Sequence, residues 1–195
     1  MIFADTLGLA DQLKSLSSNE QTYITVEPGQ AFTQLTHTHF IIHPNRPSDY
    51  EQLFETLRSY GVSVKQIIHL WNYTTQEDTL HAALAKEAQK TGSMSALYVT
   101  KAIAAYEEPV EITFVSAHAM NLPEDQTHDV EKATTAGLMT AVQHEWPFIK
   151  VRCLDFSLTE PDAGRSHASS IRQSLHMTQA IISLLIAKVF VILLF

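Results

Sequence analysis

Val64-Lys65-Gln66-Ile67-Ile68-His69-Leu70-Trp71 is the stretch on which the fold turns. Its second half is apolar at nearly every position, rich in β-branched and aromatic residues, and too short for a buried helix. A strand covered on both faces has that composition, whereas a half-solvated strand alternates. The run therefore predicts the central strand of a sheet held between two layers of helices. On its amino side, Pro47 or Ser48 opens a helix to about Tyr60, with Tyr50, Leu53, Phe54 and Leu57 at helical spacing and Gly61 as its stop. Earlier lie three extended runs: 2–4, 22–26 ended by Pro28-Gly29, and 38–43 ended by Pro44. A helix capped by Asp5 or Thr6 follows the first run, with Leu7, Leu9, Ala10, Leu13 and Leu16 on its apolar side, and 17–19 read as a turn. On the carboxyl side, 78–90 and 94–106 read as helices around Gly92, 111–116 as a strand, 130–146 as a helix closed by Pro147, and 148–156 as the last strand. From Arg165 the pattern is helical and then ambiguous.

Strands alternating with helices of ten or more residues predict an α/β fold: a three-layer, Rossmann-like, doubly wound and mainly parallel sheet. The chain has 195 residues, enough for one domain with a real core, and no linker or repeat divides it. A formal net charge of -8 argues against a nucleic-acid partner, which would demand a basic stripe. The single cysteine, Cys153, permits no internal disulfide and fits a reducing, cytoplasmic setting. Residues 1–5 have neither the basic nor the long apolar region of a signal peptide. The tail, 181–195, is apolar except for Ser183 and Lys188, yet shorter than the roughly twenty residues of a spanning helix.

The turn after the first strand is the place to look for a nucleotide. A dinucleotide requires glycines there, so that the backbone can approach the pyrophosphate at the helix N-terminus. Here the turn is Ala4-Asp5-Thr6-Leu7-Gly8-Leu9-Ala10, with one glycine and an acid that would repel phosphate. No GxxxxGK or GxSxG sequence occurs. Tyr98 and Lys101 are one position off the Tyr/Lys spacing of short-chain reductases, and packing accounts for Tyr98. His37, His39 and His43 share strand parity and, with Asp49, have the donor types for zinc, but no HExxH or Cys/His cluster supports that reading. His69 reads as a hydrogen-bonded core histidine. His118 and His144 follow a strand end and a helix end with no nucleophile beside them, and Cys153 reads as an inert buried thiol. The acidic pairs 107–108, 124–125 and 129/131 fit solvated loops and a helix N-terminus.

Several of these stretches, in order, resemble the structural, N-terminal subdomain of the ketoreductase region of modular type I polyketide synthases. They are IFADTLGLADQL, YITVEPGQAF, HPNRPSDYEQLFETL, IIHLWNY, ALYVTKAIA, EITFVSAHAM and AGLMTAVQHEWPFIKVRCLDF, with His69-Leu70-Trp71 the most specific piece. The resemblance covers about 1–157, and 158–195 departs from it as a C-terminal helix and apolar tail. It implies a non-catalytic half that braces a second, catalytic subdomain carrying NADPH. It implies no catalytic, cofactor-binding or metal residue in this chain, with the catalytic subdomain and other synthase domains, including the acyl carrier protein, as partners. Two alternatives stand beside it. One is an independent small α/β enzyme or ligand-binding protein, its site at the carboxyl edge of the sheet near Trp71, Asn72, Ser116 and His118. The other is an interaction protein tethered to a membrane by 181–195, against which Lys188 counts.

Overall fold

The structure is a computed structural model that describes residues 1–16, 22–75, 89–119, 130–158, 163–176 and 189–193. The expected turn at 17–19, most of the helix expected at 78–90, the acidic pair 124–125 and the tail up to residue 188 lie outside these residues.

The doubly apolar run forms strand β5 (Gln66–Asn72), with Ile67, His69 and Trp71 facing one layer and Ile68 and Leu70 the other. Both sides are buried, as a central strand requires. The remaining strands are β1 (Ile2–Phe3), β2 (Thr25–Pro28), β3 (Thr33–Thr36), β4 (His39–Ile42), β6 (Val110–Ala117), β7 (Ile149–Phe156) and β8 (Val189–Leu193). They form one sheet in the order β3-β4-β2-β1-β5-β6-β7-β8. The six parallel members run β4-β2-β1-β5-β6-β7, the dinucleotide-fold order with its reversal between β1 and β5. β3 and β8 are antiparallel edges.

Helix α1 (Leu9–Ser15) follows β1 and α2 (Pro47–Ser59) follows β4. An irregular turn (Lys90–Met94) leads into α3 (Ser95–Ala104), α4 (Val130–Glu145) follows β6, and α5 (Ala163–His176) follows β7. Two apolar clusters, one per sheet face, make the third layer concrete. Phe3, Val26, Phe40, Leu53, Leu57, Val99, Ile103, Phe114 and Val142 pack on the α2/α3/α4 face. Ile2, Leu9, Leu13, Leu70, Val115, Phe156, Ala168 and Ile171 pack on the α1/α5 face.

The structure departs from the sequence expectation in two places. The connection from β2 to β4 contains the short edge strand β3 where a doubly wound sheet would place a helix. Its residues, Thr-Gln-Leu-Thr, are exposed apart from the half-buried Gln34, so no apolar run announced it. At the other edge, the described part of the tail is strand β8, paired from Val189 opposite Phe156 to Leu193 opposite Arg152, rather than an apolar helix. A β-branched run beside an otherwise open edge gains more from a ladder than from an isolated helix. No described helix is long and apolar enough to cross a membrane.

Candidate functional site

In an open α/β sheet, ligands bind at the carboxyl ends of the strands where strand order reverses. That point lies here between β1 and β5, and the first group in it is Asp5. Its Oδ2 accepts the backbone N–H of Leu7 at 2.8 Å and of Leu9 at 3.0 Å, and its Oδ1 accepts that of Ala10 at 2.8 Å. Three backbone donors at a helix N-terminus are the seat of a phosphate in dinucleotide folds, and the positive end of the helix favours any anion there. The chain seats its own carboxylate in that position. The remaining glycine of the turn, Gly8, has a different duty: its φ of +87 starts α1 from a left-handed cap that few side chains tolerate. The cap residue is thus Gly8 rather than the expected Asp5 or Thr6, because the helix starts later, at Leu9, while Asp5 reaches its first amides from three residues before the cap.

Beside Asp5 the crevice is filled by side chains brought together from distant segments. Tyr73, just past β5, hydrogen-bonds through its hydroxyl to Nδ1 of His167 on α5 at 2.8 Å. The His167 ring stacks on Phe156, the last residue of β7, at 4.2 Å between centroids. Burial, with the nearby Asp5 charge, pushes the Tyr73 hydroxyl up to about 12, so it stays protonated. Sequence reasoning named neither Tyr73 nor His167. They lie 94 positions apart and no spacing rule links them.

Of the expected edge residues, Asn72, Ser116 and His118 occupy the next stretch of the carboxyl edge. The β5–β6 register slips between His69 and Asn72, within the His-Leu-Trp motif, and brings Asn72 opposite Ser116. Asn72 Nδ2 donates to Thr135 Oγ1 on α4 at 3.1 Å, and Gly92 leaves room for the Asn72 amide, which an added Cβ would meet at 2.7 Å. Ser116 Oγ donates to Asp155 Oδ1 at 2.7 Å, and the same oxygen accepts the Ala119 N–H at 3.1 Å. His118, with a left-handed φ of 60, donates its backbone N–H to Phe156 O and accepts the Leu158 N–H at Nε2. Lys132 of α4 donates to the carbonyls of Ala117 and Thr74. The cavity among these groups is about 20 Å³, the room of one water. Trp71 is buried among Phe3 and His69 instead of reaching the edge.

His69 lies deeper, as a core histidine. Its ring is boxed by Phe3, Trp71 and Phe114 at 4.9, 5.2 and 5.3 Å. Nε2 is 2.8 Å from Ser95 Oγ, which in turn is 2.8 Å from the Tyr50 hydroxyl; Tyr50 also reaches the Pro44 carbonyl at 2.9 Å. Complete burial pushes the imidazole down to about 3, so it is neutral, and burial pushes the Tyr50 hydroxyl up. A Tyr–Ser–His chain has the vocabulary of catalysis, but it sits in the core and ties α2, α3 and β5 together.

The other candidates are dispersed. His39 Nε2 meets Glu27 at 2.9 Å, His37 lies edge-on to Tyr60, and His43 bonds locally to Asn45 and, through its backbone, to Asp49. No group of three or more His, Cys, Asp or Glu placed to hold a metal occurs among the described residues. Tyr98 packs at the core margin with its hydroxyl 3.4 Å from Asn45, Lys101 is exposed, and His144 lies in the last turn of α4. Burial pushes the Cys153 thiol up to about 12, which leaves it an inert thiol.

The fold and this edge define a Rossmann-like unit. The family described as beta-ketoacyl synthase-like, N-terminal, matches residues 1–182, and the chain belongs to it. The chain is 78% identical, with a TM-score of 0.87, to part of a structure of the adenylation, ketoreductase and pseudo Asub domains of a keto acid-selecting NRPS module, covering 91% of this chain and 15% of that one. It also matches an N-terminal ketoreductase from the macrolactin assembly line (22% identity, TM-score 0.70), covering 90% of this chain and 36% of that one. A short-chain dehydrogenase/reductase from Vibrio parahaemolyticus is similar at 16% identity and a TM-score of 0.66, over 89% of this chain and 92% of that one. At those lower identities the likeness is one of fold. The chain thus spans a small part of the multidomain proteins it resembles. A search of curated proteins found no match. The family match and the two solved structures that contain a ketoreductase support the resemblance carried by the ordered motifs.

Proposed function

We propose that this chain is the structural, non-catalytic half of a synthase ketoreductase, with 1–157 as its body and α5 packed on it. It braces a catalytic subdomain that carries NADPH and the reacting groups. The observation that carries this reading is the Asp5 carboxylate on the Leu7, Leu9 and Ala10 amides. A second anion, such as a pyrophosphate, would have to displace a covalently attached one and then face its charge. The Tyr73–His167 pair and the Asp155 network support the reading by engaging the polar groups of the same edge within the chain. The relative that selects keto acids points to the host: a nonribosomal peptide or polyketide module in which a loaded keto acid is reduced. In that setting the partners are the catalytic subdomain and the carrier and adenylation domains of the module, and the chain itself holds no cofactor.

Calorimetry of the chain with NADPH tests the reading. The expected result is no saturable heat. Tight 1:1 binding by the chain alone would overturn it.

A further inference from the structure

A cavity of about 220 Å³ opens at the amino edge of the sheet, at the opposite end of the strands from the crevice around Asp5. Val64 and Glu108, which line it, come just before β5 and β6. Phe54 and Leu57 of α2, Ile103 of α3 and Val64 give it an apolar floor, the first three being core side chains. Two opposite charges line the same cavity, Arg58 and Glu108.

Arg58, in the last turn of α2, lays its guanidinium over the Tyr106 ring, 4.7 Å from the centroid. Stacking fixes the plane of the group and uses none of its N–H donors. Among the described residues nothing accepts a hydrogen bond from it or pairs with it as an ion. Glu108 enters from the turn after α3. Glu107, before it, has a left-handed φ of 52, uncommon for a residue with a side chain, and this turn sets Glu108 beside Ser63 and Lys65. Both donate to the same oxygen, Oε2, Ser63 Oγ at 2.6 Å and Lys65 Nζ at 3.0 Å. The other oxygen, Oε1, has no hydrogen bond among the described residues. Ser63, then Lys65, and lastly Arg58 hold the Glu108 carboxyl below its ordinary value, so Arg58 and Glu108 feel each other. Burial, then Glu55 with Glu51 of α2, push the Tyr106 hydroxyl up, which places two more acids near that ring.

These features select the ligand. Unused guanidinium donors call for a carboxylate, and an unused carboxylate oxygen calls for an ammonium. A plain carboxylic acid would meet the charge of Glu108, with Glu51 and Glu55 nearby, and a plain amine would leave Arg58 unanswered. The floor asks for an apolar body between the two. The volume lies below the roughly 300–1,000 Å³ of sites for drug-sized molecules, so the ligand is small. We propose that this cavity binds a free apolar α-amino acid, with its carboxylate on Arg58, its ammonium on Glu108 Oε1 and its side chain on Phe54, Leu57, Val64 and Ile103. The ligand also covers Val62, which lines the cavity and is 39% exposed without it. The charges work at the surface, so the affinity is modest.

The test is calorimetry of the full chain with L-leucine, beside glycine, the keto acid of the leucine skeleton and isoamylamine. Arg58 is exposed and the Glu108 side chain is 42% exposed, so Arg58→Met and Glu108→Gln keep the fold, which circular dichroism checks. Leucine should bind saturably at one site with a millimolar Kd. Glycine, the keto acid and the amine should each bind at least about fivefold more weakly, and so should leucine to either variant. No saturable leucine binding up to about 10 mM overturns the proposal. So does glycine binding as tightly as leucine, which would take the apolar floor out of the site. The keto acid binding as tightly would make this an anion site, and isoamylamine binding as tightly a cation site; either overturns the amino-acid assignment. Leucine binding unchanged by Arg58→Met or by Glu108→Gln would put the ligand elsewhere and overturn it as well.

Discussion

The core chain Tyr50–Ser95–His69 and the carboxyl-edge set around Asp5 and Asp155 use the same kinds of residue in different solvents. In the core, no water can replace a lost partner, so every polar atom matters at its full desolvation cost. At the edge, Asp155 is buried but Asp5 is partly open, and water can stand in for the latter. The comparison teaches that catalytic-looking side chains here are graded by dehydration rather than by reactivity. It predicts a descending series of effects.

The largest belongs to His69. Replacing it by Ala opens a hole within the box of Phe3, Trp71 and Phe114 and strands Ser95. The expected loss is about 3 kcal/mol, a fall of roughly 6–12 °C in Tm by calorimetry for a domain of this size. A change within error would mean that the core chain is not dehydrated and would break the comparison.

His69 also sets a pH dependence. Its folded value of about 3 lies below the ordinary 6.5 because of burial, so between these limits the unfolded chain binds the proton and the folded one does not. Its contribution is therefore intact above about 6.5 and is lost progressively as the pH falls toward 3. Denaturant midpoints across that window should fall more steeply for the wild type than for His69→Phe. Parallel curves would show that the imidazole is not held neutral.

Asp155 comes next. Asp155→Ala removes the acceptor of Ser116 Oγ and of the Ala119 N–H, the latter buried, at an expected cost of about 2 kcal/mol. Chemical denaturation checks it, and hydrogen exchange should show the Ala119 amide opening first. Protection at Ala119 unchanged from the wild type would mean that the carboxylate does not hold the β6 end.

What the sequence disclosed follows the same gradient. The apolar run 64–71 announced β5 because both faces of a central strand are dry, and the helix at 47–60 announced itself by its spacing. β3 stayed hidden because an exposed edge strand needs no apolar pattern, and the described tail became β8 because its partner, β7, is set by tertiary pairing. At the site, Asp5 was legible as a partner of the helix start, since its three donors lie within five residues, though the cap itself is Gly8. His69 was legible as a core histidine from its apolar neighbours, but its partner Ser95 is 26 positions away and Tyr73–His167 is a pairing across the fold. Local hydrogen bonds leave a trace in the sequence; those closed by the topology do not.

Asp5 is the smallest effect and the most informative. Asp5→Ala leaves the Leu7, Leu9 and Ala10 amides pointing at water, at a cost of about 1 kcal/mol, typical of a lost cap. The vacated position then offers three donors at a helix N-terminus to any small anion. Sulfate should stabilise the variant more than it stabilises the wild type, since its general salting-out effect is common to both and only the variant has the seat free. Thermal midpoints of the two proteins in matched sulfate and chloride series read that difference. A larger sulfate response in Asp5→Ala would establish the carboxylate as the built-in occupant of a phosphate position. Equal responses would mean that the turn is an ordinary cap with no anion site beneath it, and the case for a self-filled nucleotide crevice would then rest on Tyr73 and His167 alone.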